Sequence, residues 1–165
     1  FNSTFLGHIH DSSNLYYASF EFNASFYYVV RWIGFQIVGY NIIGVAGSWL
    51  SKIALLGMVL LLIRKQNKKW RSAFNAMLFA LSLYYFFALI VHPWYICLLV
   101  FLSVFTSYRY AIVWSVLAVL SYWTYSNTDY SENYWLIAVE YLLVISFFLR
   151  ETFWDKNSFL SLEKN

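Results

Sequence analysis

His92-Pro93-Trp94-Tyr95 breaks an otherwise apolar run from Ala73 to Phe105 near its middle. A single helix of that length would overshoot a bilayer's ~30 Å hydrocarbon core, which about 20 helical residues suffice to cross. The interruption therefore reads as a turn. Pro93 is the only proline in the chain. It removes a backbone donor and biases His92 away from helical geometry, so one helix is expected to end at His92 and the next to begin near Pro93. Trp94 and Tyr95 are amphipathic aromatics that favour headgroup depth and would fix the hairpin at a membrane surface. His92 is then expected to face water and lipid phosphates together.

Composition extends this reading to the whole chain. Of its 165 residues 61% are hydrophobic and 12% charged, against ~25% charged in soluble domains, which predicts one compact, all-α integral membrane unit. The aromatic share, 24%, suggests wide interfacial belts. The basic residues cluster in one short loop without a recognisable binding module, which excludes nucleic acid as a partner. No basic, signal-like segment stands at the start, and the opening residue is Phe1, so the chain reads as part of a longer protein. Cys97, the lone cysteine, excludes an internal disulfide or a cysteine metal cluster and is expected to serve packing.

Residues 1–41 read as an extracytoplasmic loop and an interfacial helix. His8, His10 and Asp11 form an H-x-H-D cluster, but a closed metal site needs three or four ligands and no further set lies nearby, so a solvated loop with no metal is expected. From Glu21 to Val38, Phe22, Phe26, Val29, Val30, Ile33 and Ile37 share one face at 100° per residue. Glu21, Ser25, Arg31, Trp32 and Gln36 lie off it, the pattern of a helix lying in the membrane interface, with packing against a bundle as the alternative. Gly39-Tyr40-Asn41 supplies a turn.

Residues 42–150 read as a bundle of about five transmembrane helices, and 151–165 as a cytoplasmic tail. Ile42–Ile63 is the first span, with Lys52 expected to snorkel to the interface rather than enter the bundle. Arg64, Lys65, Lys68, Lys69 and Arg71 follow at once, a basic loop of the kind kept on the cytoplasmic side. Ala73–Val91 then runs outward, Trp94–Thr106 inward to Arg109, Ala111–Tyr125 outward to a loop with Asp129 and Glu132, and Trp135–Leu149 back inward. Glu140, inside the last helix, is expected to face the bundle, with Lys52 as its candidate partner. Asn2-Ser3-Thr4 and Asn23-Ala24-Ser25 match the glycosylation acceptor pattern, a weak signal by itself.

The outer face thus collects His92 and Tyr95 at the hairpin, Glu21, Asn23 and Arg31 on the interfacial helix, and Tyr40 and Asn41 at its end. An arginine fork suits a pair of phosphate oxygens, and an imidazole at the same depth can donate to a phosphate, so this face suits a lipid-linked phosphate. The bland alternative for His92 is a helix-end histidine satisfied by a carbonyl.

The runs Leu15-Tyr16-Tyr17, Phe20-Glu21-Phe22-Asn23-Ala24-Ser25, Tyr27-Tyr28, Arg31, Gly39-Tyr40-Asn41 and His92-Pro93-Trp94-Tyr95 resemble the C-terminal portion of bacterial polytopic glycosyltransferases of the GT-C superfamily, in particular those labelled mannosyltransferases. The resemblance implies transfer of a sugar, inverting and without a nucleotide-sugar site, from a polyprenyl phosphate donor on the extracytoplasmic face of the inner membrane, with membrane lipids as surroundings and no cofactor. On it, His92, Arg31 and Tyr95 are expected at the donor phosphate, with Glu21, Asn23, Tyr40 and Asn41 behind them. The catalytic carboxylate is expected in an upstream external loop, outside these residues. The competing class is a non-enzymatic membrane protein, a lipid or solute transporter or a structural subunit. A transporter would be favoured by internal repeats or by broken helices in both halves, and neither is found.

Overall fold

The computed structural model describes residues 20–63 and 70–154, and within them the chain is helical, with six α-helices and no strand. The H-x-H-D cluster, the Asn2 tripeptide, Arg64 to Lys69 and the tail from residue 155 lie outside the described residues. We number the helices α1 (Phe26–Val38), α2 (Ile43–Leu62), α3 (Trp70–Phe87), α4 (Ile96–Ser103), α5 (Tyr110–Leu117) and α6 (Tyr134–Leu149). A 3-10 turn over Pro93–Tyr95 precedes α4, a 3-10 helix over Ala118–Ser126 continues α5, and a π-helical turn over Arg150–Trp154 extends α6.

The elements alternate in direction. At one end Phe22 pairs with Ile90, its ring lies 6.1 Å from Tyr125, and Tyr28 meets Tyr134. At the other, Phe74 stacks on Phe105 at 4.5 Å, and Glu151 accepts from the backbone N–H groups of Arg109 and Tyr110. That carboxylate caps α5, whose first N–H groups have no partner within the helix. Aromatic rings dominate the core. Trp114 is fully buried, stacks on Phe86 at 4.7 Å and meets Tyr141 edge-on.

Turn chemistry places the hairpin and the entry to α2. His92 is extended (φ −74°, ψ 146°) ahead of Pro93, as a residue before proline should be. Gly39 closes α1 in the left-handed region at φ 78°, its N–H bonded to Phe35. Asn41 Oδ1 then accepts from Ile43 N, holding the start of α2.

Two expected boundaries are corrected. The first helix starts at Phe26 rather than Glu21, and α3 ends at Phe87 rather than His92. The cause is the same in both: Phe22 N donates to Leu89 O and Val91 N to Phe22 O. This pairing of extended segments takes both stretches out of helical geometry. Among the described residues one helix, α2, is long and apolar enough to cross a membrane. Elements form at the other four expected positions, but α4 has only eight residues and rises about 12 Å. Residues 110–126 reach about 30 Å because their second half is the more extended 3-10 form.

Two side chains and one helix face bear on the expectations. Cys97 is exposed on α4, so it does not serve internal packing. Lys52 is also exposed, its ammonium 5.1 Å from the Trp49 ring, and no pairing with Glu140 forms. The face of α1 carrying Phe26, Val29, Ile33 and Ile37 is exposed, whereas Tyr27 and Gly34 are buried. The expected stripe is therefore divided: Phe22 is buried, Val30 packs against the core and Phe26 stacks on Phe87, while Val29, Ile33 and Ile37 stay exposed.

Candidate functional site

The extended segment before α1 gathers the buried polar groups. Asn23 is fully buried and left-handed at φ 47°, a conformation asparagine tolerates better than most residues. That backbone turns three of its groups toward the end of the bundle. Its N–H donates to Glu132 Oε1 at 2.6 Å, its C=O accepts from the Tyr141 hydroxyl at 2.7 Å, and its side-chain amide donates to Glu140 Oε1 at 3.1 Å. Trp114 Nε1 donates to the same Glu140 oxygen at 3.1 Å. Glu140 thus faces the bundle as expected, with Asn23 and Trp114 as partners. A side chain so enclosed is no acceptor for a glycan in the folded protein.

Glu132 also turns inward, accepting from the Tyr28 hydroxyl on its second oxygen. Burial pushes the Glu132 carboxyl above the usual carboxylate range, opposed by the Tyr28 and Asn23 hydrogen bonds and the charge of Arg31. Burial and the neighbouring Glu132 raise the Tyr28 hydroxyl far above its ordinary value, so Tyr28 stays a donor. Arg31 forms an ion pair with Glu21 and lies over the rings of Tyr28 (4.8 Å) and Tyr134 (5.1 Å).

Of these groups Tyr28, Arg31, Tyr134 and Tyr141 line a groove of ≈ 650 Å³ between α1 and α6. Its walls include Phe26, Val29 and Phe35 on one side and Ile137, Leu142 and Ile145 on the other, and Arg31 is the one charged residue among those lining it. A second groove of ≈ 590 Å³, between α2 and α3, is lined by Ser48, Ser51 and Tyr84 with Tyr95 at its end.

The residues expected at a donor phosphate are therefore not brought to one cavity. Arg31 lines the first groove, Tyr95 the second, and His92 neither. Nor does His92 face water. It is buried at 8% exposure, its ring 4.2 Å from Trp94 in a stack and 4.7 Å from Phe22, with Tyr95 edge-on at 5.4 Å. Pairing Phe22 with Leu89 and Val91 places the Phe22 ring over the imidazole, covering the face expected to meet solvent. Burial lowers the His92 pKa, and Nδ1 has no hydrogen-bond partner among the described residues, so the helix-capping role is not seen at that atom either.

Of the remaining candidates, Glu21 holds Arg31, and Asn23 is the hub just described. Tyr40 is exposed. Asn41 accepts from Tyr27, whose hydroxyl burial pushes up to about 12, as well as from Ile43 N. Sequence reasoning placed Glu132 on the outer face but missed that Asn23 would join it to Glu140. Among the described residues no cluster of three or more His, Cys, Asp or Glu forms that would hold a metal ion. Neither a protein-family model, nor a curated protein, nor a solved structure matches the chain.

Proposed function

We propose that the chain is the membrane-embedded, C-terminal portion of a GT-C-type glycosyltransferase of a bacterial inner membrane, moving a mannose-like sugar from a polyprenyl phosphate donor to an acceptor on the extracytoplasmic face. On this reading α1 lies in the interface and the bilayer is crossed about five times, by α2, α3, residues 93–103, residues 110–126 and α6, the 93–103 segment rising about 18 Å and crossing only with local thinning of the bilayer. The exposed part of the α1 stripe supports it, since Val29, Ile33 and Ile37 are largely uncovered by protein and suit acyl chains. So does the charge distribution, with Arg71, Arg109 and Arg150 toward one end beside Glu151, and Glu21, Asp129 and Glu132 toward the other, where the cation Arg31 is paired with Glu21.

The observation that carries the proposal is the α1–α6 groove, apolar along its walls and lined by a single guanidinium, the complement of a long hydrocarbon ending in a phosphate. The polyprenyl chain would lie along Val29 and Leu142, with the phosphate at Arg31, exchanging Glu21 for phosphate oxygens in the bidentate geometry that arginine favours. In the transfer, the bond between the sugar's anomeric carbon and the phosphate oxygen breaks as the acceptor oxygen attacks. The acceptor's proton passes to a base supplied by an upstream loop, and Arg31 stabilises charge developing on the departing phosphate. Phosphate contact thus falls to Arg31, and His92 keeps the Phe22 segment in place.

The test is sugar transfer by the full-length protein in membranes. Ala138→Trp, which fills the groove from α6, should lower turnover at least about tenfold with normal amounts of folded protein, and Arg31→Ala on the order of 10²-fold. Wild-type turnover in both variants, or no transfer from any polyprenyl phosphate sugar by the wild type, would overturn the proposal.

A further inference from the structure

Glu140 has no exposed surface, and its two oxygens differ sharply. Oε1 accepts two hydrogen bonds, from Asn23 Nδ2 and from Trp114 Nε1, which fills both lone pairs of a carbonyl oxygen. Oε2 has no partner among the described residues. Neither does Oδ1 of Asn23, the side chain already bonded to Oε1. An ionised carboxylate and an amide carbonyl are both acceptors only, so two neighbouring buried oxygens would stay unsatisfied, each at a desolvation cost of about 1–3 kcal/mol. A single proton satisfies both.

Among the described residues the surroundings supply no other compensation. Among the described residues, the titratable and charged groups that these contacts bring toward the Asn23–Glu140 pair are Glu132, Tyr141, Tyr85, Tyr110, and Tyr28 and Arg31 with its partner Glu21. Arg31 is the one cation in that set, and it is already engaged by Glu21.

We propose that Glu140 is a neutral carboxylic acid whose Oε2–H donates to Asn23 Oδ1, alongside the Nδ2–H to Oε1 bond, closing an acid–amide ring that makes Glu140 the positioning residue for Asn23. The consequence reaches the groove, because the backbone N–H of Asn23 holds Glu132, and Glu132 holds Tyr28 beside Arg31. The pairing is a statement about one proton and does not rest on the glycosyltransferase reading.

Infrared spectroscopy of the full-length protein in detergent at neutral pH tests it directly. The wild type should show a protonated-carboxyl carbonyl stretch, shifted on exchange into D2O, that is lost in Glu140→Gln and kept in Glu132→Gln. Glutamine mimics the neutral acid, its amide donating to Asn23 Oδ1 while its carbonyl accepts from Nδ2, so Glu140→Gln should keep the wild-type melting temperature within about 3 °C. Glu140→Leu, which offers neither bond, should melt well below it. Absence of the band in the wild type, its persistence in Glu140→Gln, or a wild-type melting temperature that rises with added sodium, potassium or magnesium and no longer does so in Glu140→Gln would overturn the proposal, the last by showing a metal cation in the proton's place.

Discussion

The side-chain amide of Asn23 donates to Glu140 at 3.1 Å across 117 positions of sequence, fastening the stretch before α1 to the middle of α6. Asn23 also sits at φ 47°, so its role divides into a hydrogen-bond part and a backbone part. Asn23→Gly keeps the backbone freedom and loses the amide, which should cost about 1–3 kcal/mol. Asn23→Ala loses both and should cost about 1–2 kcal/mol more. Thermal unfolding of the two variants in detergent checks the order. Equal midpoints would show that the left-handed backbone carries no strain.

His92 gives a pH dependence with a definite sign. Burial between Phe22 and Trp94 lowers its pKa below the ordinary 6.5, so the folded state binds fewer protons than the unfolded state. Stability from this group is therefore full above about pH 6.5 and is lost progressively as pH falls toward the folded-state value. Unfolding midpoints of wild type and His92→Phe, compared between neutral pH and about pH 5, should show a steeper acid-side decline in the wild type. Parallel curves would contradict the buried, neutral imidazole.

Glu151 caps α5 from the π-helical turn through the N–H groups of Arg109 and Tyr110. Glu151→Ala removes the acceptor and its favourable charge at a helix N-terminus, for an expected loss of about 1–2 kcal/mol. Glu151→Gln keeps an acceptor and should lose less. Denaturant titration of the pair reads the difference.

Ile37 separates membrane seating from folding. It is 76% exposed near the end of α1, so Ile37→Asp should leave the packing intact while placing a charge where the proposed reading puts acyl chains. A spin label at Ile33, on the same face and exposed, should then move from a lipid-like to an aqueous environment, with thermal stability in detergent unchanged. An aqueous label already in the wild type would show that α1 does not lie in a membrane interface.

Local chemistry was legible in the sequence, and pairing over long distances was not. Pro93 marked the hairpin, Gly39 the end of α1, and unbroken apolarity the first long helix, expected at 42–63 and found at Ile43–Leu62. That Glu140 faces inward was also readable, because a carboxylate in so apolar a helix must be shielded. Its partner was not, since Asn23 reaches it only after Phe22 has paired with Leu89 and Val91. The same pairing shortened α1 and α3 and drew the Phe22 ring over His92. A glutamate after Asp129 looks like an ordinary exposed loop residue until Asn23 N–H and Tyr28 OH are seen to converge on it.

The central claim, that the α1–α6 groove receives a polyprenyl phosphate with its phosphate at Arg31, is tested most directly by photo-crosslinking. A polyprenyl phosphate sugar with a photoreactive group on its isoprenoid chain, added to the full-length protein in membranes and mapped by mass spectrometry, should label α1 and α6 around Val29 and Leu142. Labelling should be competed by unmodified donor and lost in Ala138→Trp. Competable labelling confined to the α2–α3 groove near Ser48 and Tyr84, with none in α1 or α6, would contradict the account.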